Sequence, residues 1–137
     1  MNPMTALGST HELPPLELRI RSHPGSVTET RTRVAEYAEA GGANRDDVEL
    51  AVAEAVANAV LHAFGGHDDG LITVRAGIEG PDRLVVEIVD NGSGITTQAR
   101  SARAGFGLPI IGALADSVEI QTSEGGTRLV MGFPRPS

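Results

Sequence analysis

Glu54, Asn58 and His62 stand four residues apart in a stretch that is otherwise apolar from Leu50 to Phe64. On a helix, which turns about 100° per residue, the three share one narrow polar strip. Val48, Val52, Ala55, Val56, Ala59, Val60 and Ala63 fall on one broad face, and Leu50, Ala57 and Leu61 on the opposite flank. Two readings of the strip are open. It faces water, as most glutamates do, or it lines a cleft. In a cleft, a partly buried carboxylate such as Glu54 serves as a general base, because burial moves its pKa toward working pH. Asn58, one turn on, offers a hard amide oxygen of the kind Mg²⁺ accepts while keeping most of its waters. His62 reads more simply as a structural hydrogen-bonding residue.

Two glycine motifs follow. Asp90-Asn91-Gly92-Ser93-Gly94 comes directly after an apolar run. It is strong turn chemistry, and its paired glycines let backbone approach a flat ligand with no Cβ in the way. Asp90, just past the expected strand end, can accept a hydrogen bond from an exocyclic amine such as that of adenine. Gly105-Phe106-Gly107-Leu108 opens a short apolar segment. Glycines at a helix N-terminus present N–H donors to an anion. Arg100 and Arg103 precede it with positive charge, and Gly126-Thr127 adds a hydroxyl near the last strand. A Rossmann site fits poorly, since no strand precedes the Gly pair and no third Gly has the required spacing.

The chain contains no lysine. A Walker A loop and a protein-kinase site each set a lysine on the phosphates, so phosphate chemistry here rests on Mg²⁺, backbone N–H groups and arginine. The formal charge of −7 argues against general nucleic-acid or anionic-membrane binding. Without cysteine there is no disulfide, thiolate zinc site or Cys nucleophile. No apolar leader or membrane-length run is present, so a cytoplasmic protein is the default expectation.

These residues need a scaffold, and the periodicity supplies one. Residues 1–15 are polar, Gly/Pro-containing and aperiodic, and are expected to form a flexible tail. Residues 16–137 form a single domain. Leu16–Arg21 alternates as a half-buried strand, and His23-Pro24-Gly25-Ser26 stops it. Val27, Arg31, Val34 and Ala38 recur at helical spacing up to Gly41-Gly42. Asn44 caps a second helix, with Asp46 and Asp47 in its first turn, which runs to about Phe64. Leu71–Ile78 and Arg83–Val89 make a hairpin about Gly80-Pro81-Asp82. Residues 95–104 make a loop, Phe106–Ala115 a short helix, and Ser117–Thr122 with Thr127–Phe133 two closing strands. The order β-α-α-β-β-α-β-β predicts an α+β fold, a two-layer α/β sandwich whose mixed, mostly antiparallel sheet carries its helices on one face.

Taken together, Glu54-x3-Asn58, Asp90-x-Gly92-x-Gly94, Gly105-x-Gly107-Leu108 and Gly126-Thr127 resemble the nucleotide-binding boxes of the GHKL ATPase superfamily, which includes gyrase B, Hsp90, MutL and histidine kinases. The resemblance spans roughly residues 16 to 133, in the right order, and implies the Bergerat, histidine-kinase-like ATPase fold. Within the superfamily, the small size and the stretch Glu54-Ala-Val-Ala-Asn58-Ala-Val-Leu-His62 look like the stand-alone anti-sigma-factor serine/threonine kinases of bacteria. That resemblance implies ATP and Mg²⁺ as cofactors, with Glu54 as catalytic base and Asn58 as Mg²⁺ ligand. Asp90 would read the adenine amino group, and Gly92, Gly94, Gly105, Gly107 and Leu108 would shape the pocket and lid. Arg103 would approach the γ-phosphate, and Thr127 would lie near the nucleotide. It further implies phosphorylation of an anti-anti-sigma (STAS-type) antagonist, sequestration of a sigma factor, and a homodimer. The alternative is a partner-switch binding protein that responds to ATP with little or no phosphoryl transfer.

Overall fold

The computed structural model describes residues 13–60, 70–91, 108–123 and 126–136. Strand β1, Leu16–Arg21, alternates half-buried and exposed residues as its sequence does. Helix α1, Pro24–Ala40, starts inside the segment expected only to stop that strand. Proline at the first helical position has no N–H to leave unpaired, and the His23 ring nitrogen Nδ1 accepts the Gly25 N–H at 2.9 Å. The inward turn of α1 is taken by Thr30, Val34 and Ala38, all fully buried. Arg31 points outward to Glu49, 3.7 Å away.

Gly42, at φ +86°, turns the chain into helix α2, Arg45–Asn58. Its cap is the expected one: the Asn44 Oδ1 accepts the Asp47 N–H at 3.0 Å. The helix continues as a wider π-type turn through Ala59 and Val60, and its expected end near Phe64 lies outside the described residues. Val48, Ala51, Val52, Ala55 and Val56 are buried, whereas Leu50 is 47% exposed.

The sheet contains β2 (Leu71–Glu79), β3 (Arg83–Asp90), β4 (Ser117–Ser123) and β5 (Gly126–Pro134) in the order β1-β2-β3-β5-β4. The expectation of a mixed sheet is corrected among the described strands, where all four ladders are antiparallel. β2–β3 and β4–β5 are both hairpins, and β5 enters beside β3 running against it, so no crossover places two strands parallel. Helix α3, Leu108–Leu114, packs against α2 and β4.

One sheet face meets the helices through Ile72, Val74, Leu84, Val86, Ile88, Leu129, Met131 and Phe133, all buried. Each such side chain contributes about 1.5–3 kcal/mol through burial. The other face is polar. Glu87 lies there between Arg128 and Arg75, the latter at 3.1 Å, and Arg75 also reaches Glu17 at 3.5 Å. The helices therefore form one layer over one face of the sheet, as the element order requires.

Candidate functional site

Chain direction gathers the polar side chains at one end of the sheet. β1 ends opposite Leu71, where β2 begins, and β3 ends at Asp90 beside it. α1 starts there and runs away. α2 packs back along α1 after a short turn, so its last turn, with Asn58, returns to the same end.

Asp90 is the last residue of β3, not a residue beyond it. It stands in one cross-strand row with Ile72 on β2 and Thr127 on β5, and the row continues to Thr122 on β4. Asp90 and Thr127 are each 2% exposed. The Thr127 N–H donates to Asp90 Oδ1 at 3.3 Å. A carboxylate this deep needs hydrogen-bond donors aimed at it, so the strand end presents a fixed, buried acceptor.

Two residues of the sequence motifs, given no separate part there, hold this acceptor in place. Gly126 has φ +138°, and a Cβ there would run into the Asp90 carbonyl oxygen. Only glycine lets β5 approach the end of β3 so closely. Asn91 fastens the other side. Its Oδ1 accepts the Leu71 N–H at 2.9 Å, and its own N–H donates to the Leu71 carbonyl at 3.2 Å. The Asn91 signal was visible as turn chemistry, but its partner lies 20 residues away. A cleft of about 440 Å³ opens at this strand end, lined by Val89, Asp90, Gln121, Thr122, Gly126, Thr127 and Arg128. Val89, Gln121 and Arg128 share one cross-strand row on the outer face, so it is not the space between the sheet and α2.

On α2, Asn58 is 8% exposed and Glu54 is half-buried. The water-facing reading of the strip therefore fails for Asn58. Among the described residues, no hydrogen bond or ion pair engages either side chain. Leu108 is the first residue of α3. Gly92, Gly94, Arg103, Gly105 and Gly107 lie outside the described residues, as do His62 and Arg100. The structure thus brings Asp90 and Thr127 into contact and sets Glu54 and Asn58 on the helix whose end returns to them.

A family model described as the histidine kinase-like ATPase domain matches residues 20–133. The chain belongs to the histidine kinase-like ATPase family. Its relatives include an anti-sigma F factor of Clostridium beijerinckii, 31% identical over 98 residues, which are 63% of this chain and 68% of that one. The serine-protein kinase RsbW of Listeria monocytogenes serotype 4a is 36% identical over 95 residues, covering 58% of this chain and 60% of the relative. Among solved structures, the RsbU and RsbW domains of Rv1364c from Mycobacterium tuberculosis superpose with a TM-score of 0.70 at 24% identity, over 91% of this chain and 34% of that one. This last likeness establishes the histidine kinase-like ATPase fold, with its single sheet and one helical layer. No helix among the described residues is long and apolar enough to cross a membrane.

Proposed function

We propose that this chain is a Mg-ATP-dependent serine/threonine protein kinase of the anti-sigma type, which phosphorylates a STAS-type anti-anti-sigma antagonist and sequesters a sigma factor. In this reading it acts as a cytoplasmic homodimer. The observation that carries the proposal is the buried Asp90–Thr127 pair at a strand end in a histidine kinase-like ATPase domain, with Glu54 and Asn58 on the helix returning to that end. The names of the relatives, anti-sigma F factor and serine-protein kinase RsbW, support the choice of partner class.

The residues fit the group they would hold. Asp90 is a buried acceptor, suited to the N–H of an exocyclic amine and unsuited to a carbonyl oxygen at the same place. Purines with an amine there are accepted, and those with a keto oxygen are disfavoured. Thr127 stands beside it with a hydroxyl. Asn58 offers a neutral amide oxygen at the end of α2, a donor of the hardness Mg²⁺ prefers. Bound Mg²⁺ would neutralise charge on the phosphates. Glu54, one turn earlier on the same strip, would take the proton of an incoming serine or threonine hydroxyl. Phosphoryl transfer asks mainly for positioning and charge stabilisation, so this small set suffices. Gly92, Gly94, Gly105, Gly107, Leu108 and Arg103 are assigned to the pocket rim and the phosphates on the family pattern.

Glu54→Gln tests the assignment, because it keeps size and hydrogen bonding while removing basicity. The variant should bind ATP and its partners as the parent does. Transfer of labelled phosphate to the antagonist should fall roughly 10²–10⁴-fold, the usual worth of a positioned general base. Transfer at the parent rate would remove Glu54 from the chemistry. A parent protein that captures a sigma factor but phosphorylates nothing would leave the ATP-responsive binding protein as the function.

A further inference from the structure

Leu50 is 47% exposed, the highest value for a large apolar side chain among the described residues. It stands one turn before Glu54 on α2, where Cβ atoms four residues apart are about 5–6 Å from each other. From Leu50 onward, the residues of α2 that are not buried are Leu50, Ala53, Glu54 and Ala57. A helix face turned only to water carries more charge than this one glutamate. At about 100° per residue, Leu50, Ala57 and Ala53 lie about 40°, 60° and 100° to one side of Glu54, and Asn58 lies about 40° to the other. The proposed base therefore has the proposed metal ligand on one flank and an exposed apolar surface on the other. Beside that surface, Arg31, Asp46, Glu49, Leu50 and Ala53 line a hollow of about 230 Å³. This is smaller than small-ligand pockets and large enough for one side chain. Arg31 and Arg45 both reach Glu49, at 3.7 and 4.0 Å, so the carboxylate nearest Leu50 is already paired.

We propose that Leu50 is a specificity-determining residue toward the protein that is phosphorylated, which sets an apolar side chain against Leu50, Ala53 and Ala57 while its acceptor hydroxyl meets Glu54. The inference rests on the kinase reading above. Phosphoryl transfer needs the attacking and leaving oxygens roughly in line. The nucleotide is assigned to the end that holds Asp90 and Asn58, so the acceptor enters from the other side of Glu54, which is the Leu50 side. A hydroxyl within hydrogen-bond reach of Glu54, about 2.6–3.2 Å, brings its neighbouring residues over that surface. In an extended segment, side chains two positions apart point the same way and stand about 6.5 Å apart, close to the Leu50–Glu54 spacing. The acceptor segment is therefore expected to carry an apolar residue two positions from its serine or threonine. Ala53 and Ala57 are small and leave room for it. A charged residue at that position is disfavoured, because it would lose water against Leu50 without gaining a partner.

The probes are the purified STAS-domain proteins of the source cell, taken one at a time. With the one that the parent phosphorylates, Leu50→Lys should raise the KM for the protein substrate roughly 10-fold or more, the worth of one central contact. Leu50→Met should restore it. The kcat at saturating substrate and the calorimetric ATP affinity should stay within about twofold of the parent, as expected for lost docking alone. The position is exposed, so circular dichroism should show an unchanged fold. Ile120→Lys on β4, at a 41% exposed position, should leave the KM unchanged. In the substrate, Glu in place of the apolar residue two positions from the phosphorylated hydroxyl should weaken transfer by the parent and restore it with Leu50→Lys. A parent-like KM in Leu50→Lys overturns the proposal while the kinase reading stands. So does a phosphorylated segment with no apolar residue at either such position. A fall in kcat or ATP affinity at unchanged KM would make Leu50 a structural residue and overturn it too. If the parent binds one of these proteins but transfers no phosphate, the kinase reading fails, and the Kd of that complex decides Leu50 by the same tenfold criterion. If none of them binds, both readings fall.

Discussion

The two ends of the sheet use their polar groups differently. At the hairpin end, Arg135 closes the structure on backbone. Its Nε donates to the Gly41 carbonyl at 2.6 Å and its guanidinium reaches the Pro81 carbonyl at 3.1 Å. Its own N–H donates to the Asp82 carbonyl at 2.8 Å. The α1–α2 turn, the β2–β3 turn and the end of β5 are thereby joined by one side chain. Burial pushes the Tyr37 phenol above its ordinary pKa there, and the nearby Arg135 charge offsets part of that rise. At the Asp90 end the buried polar groups include the side chains of Asn58, Asp90 and Thr127. Asn58 and Glu54 have no partner among the described residues. At the first end fixed carbonyls hold the Arg135 guanidinium, although the buried Tyr37 hydroxyl there has no hydrogen-bond partner. The other joins strand ends through side chains, with Asp90 accepting the Thr127 N–H and Asn91 the Leu71 N–H.

That contrast is broken most severely at Gly126. Gly126→Val puts a branched Cβ into the Asp90 carbonyl at a φ that side chains avoid. It should cost about 3 kcal/mol or more in thermal or urea unfolding and abolish nucleotide binding with it. Asp90→Asn separates the two effects. Adenine nucleotide affinity, measured by calorimetry, should fall by about 1.5–3 kcal/mol, the worth of one charge-assisted hydrogen bond, while the unfolding midpoint changes much less. If folded parent protein binds no nucleotide, the site assignment fails. Arg135→Ala should do the reverse, lowering stability by about 1–2 kcal/mol and leaving nucleotide affinity unchanged. A shift in affinity instead would show that the two ends are coupled.

The smallest effect belongs to the outer face. Burial pushes the Glu87 carboxyl up, but hydrogen bonds and charge from Arg128 and Arg75 outweigh it and leave the pKa lowered. A carboxyl lowered on folding stabilises the fold above its unfolded pKa, and that stability is lost as pH falls through the folded value. Glu87→Gln should therefore cost less than about 1 kcal/mol near neutrality and nothing once the pH is below the carboxylate range. Unfolding curves at the two pH values check the sign. Asn58→Ala sharpens the same comparison at the other end: Mg²⁺-dependent ATP affinity should fall more than metal-free affinity. Equal losses would make Asn58 a structural residue.

Much of this was readable because the relevant forces are local. Alternation gave β1, and the Asn44 cap with its two following aspartates gave the start of α2. Glycine and proline marked the turns, and the two hairpins fixed most of the sheet. The misread parts depend on partners distant in sequence. Arg31 and Thr30 are neighbours, and only packing against α2 decides which one turns inward. His23 looks like a strand stop until its ring is seen to cap α1. Asp90 belongs to β3 because Thr127, 37 residues later, pairs with it. Gly126 was legible as half of the Gly126-Thr127 motif, but nothing nearby in sequence announces the Asp90 carbonyl it packs against. In the site, Glu54 and Asn58 were legible as a strip of one helix, whereas the clasp between β3 and β5 was not.

β5 lies inside the sheet, between β3 and β4, although it follows both of them in the chain. While the chain is still emerging from a ribosome, β3 has a bare edge and β4 has nothing to pair with. Every product of stalled translation or proteolysis that stops short of Gly126 exposes the β3 backbone and the apolar row Leu84, Val86 and Ile88 beside it. Such fragments are candidates for chaperone capture or aggregation, and no partial product can close the Asp90–Thr127 clasp.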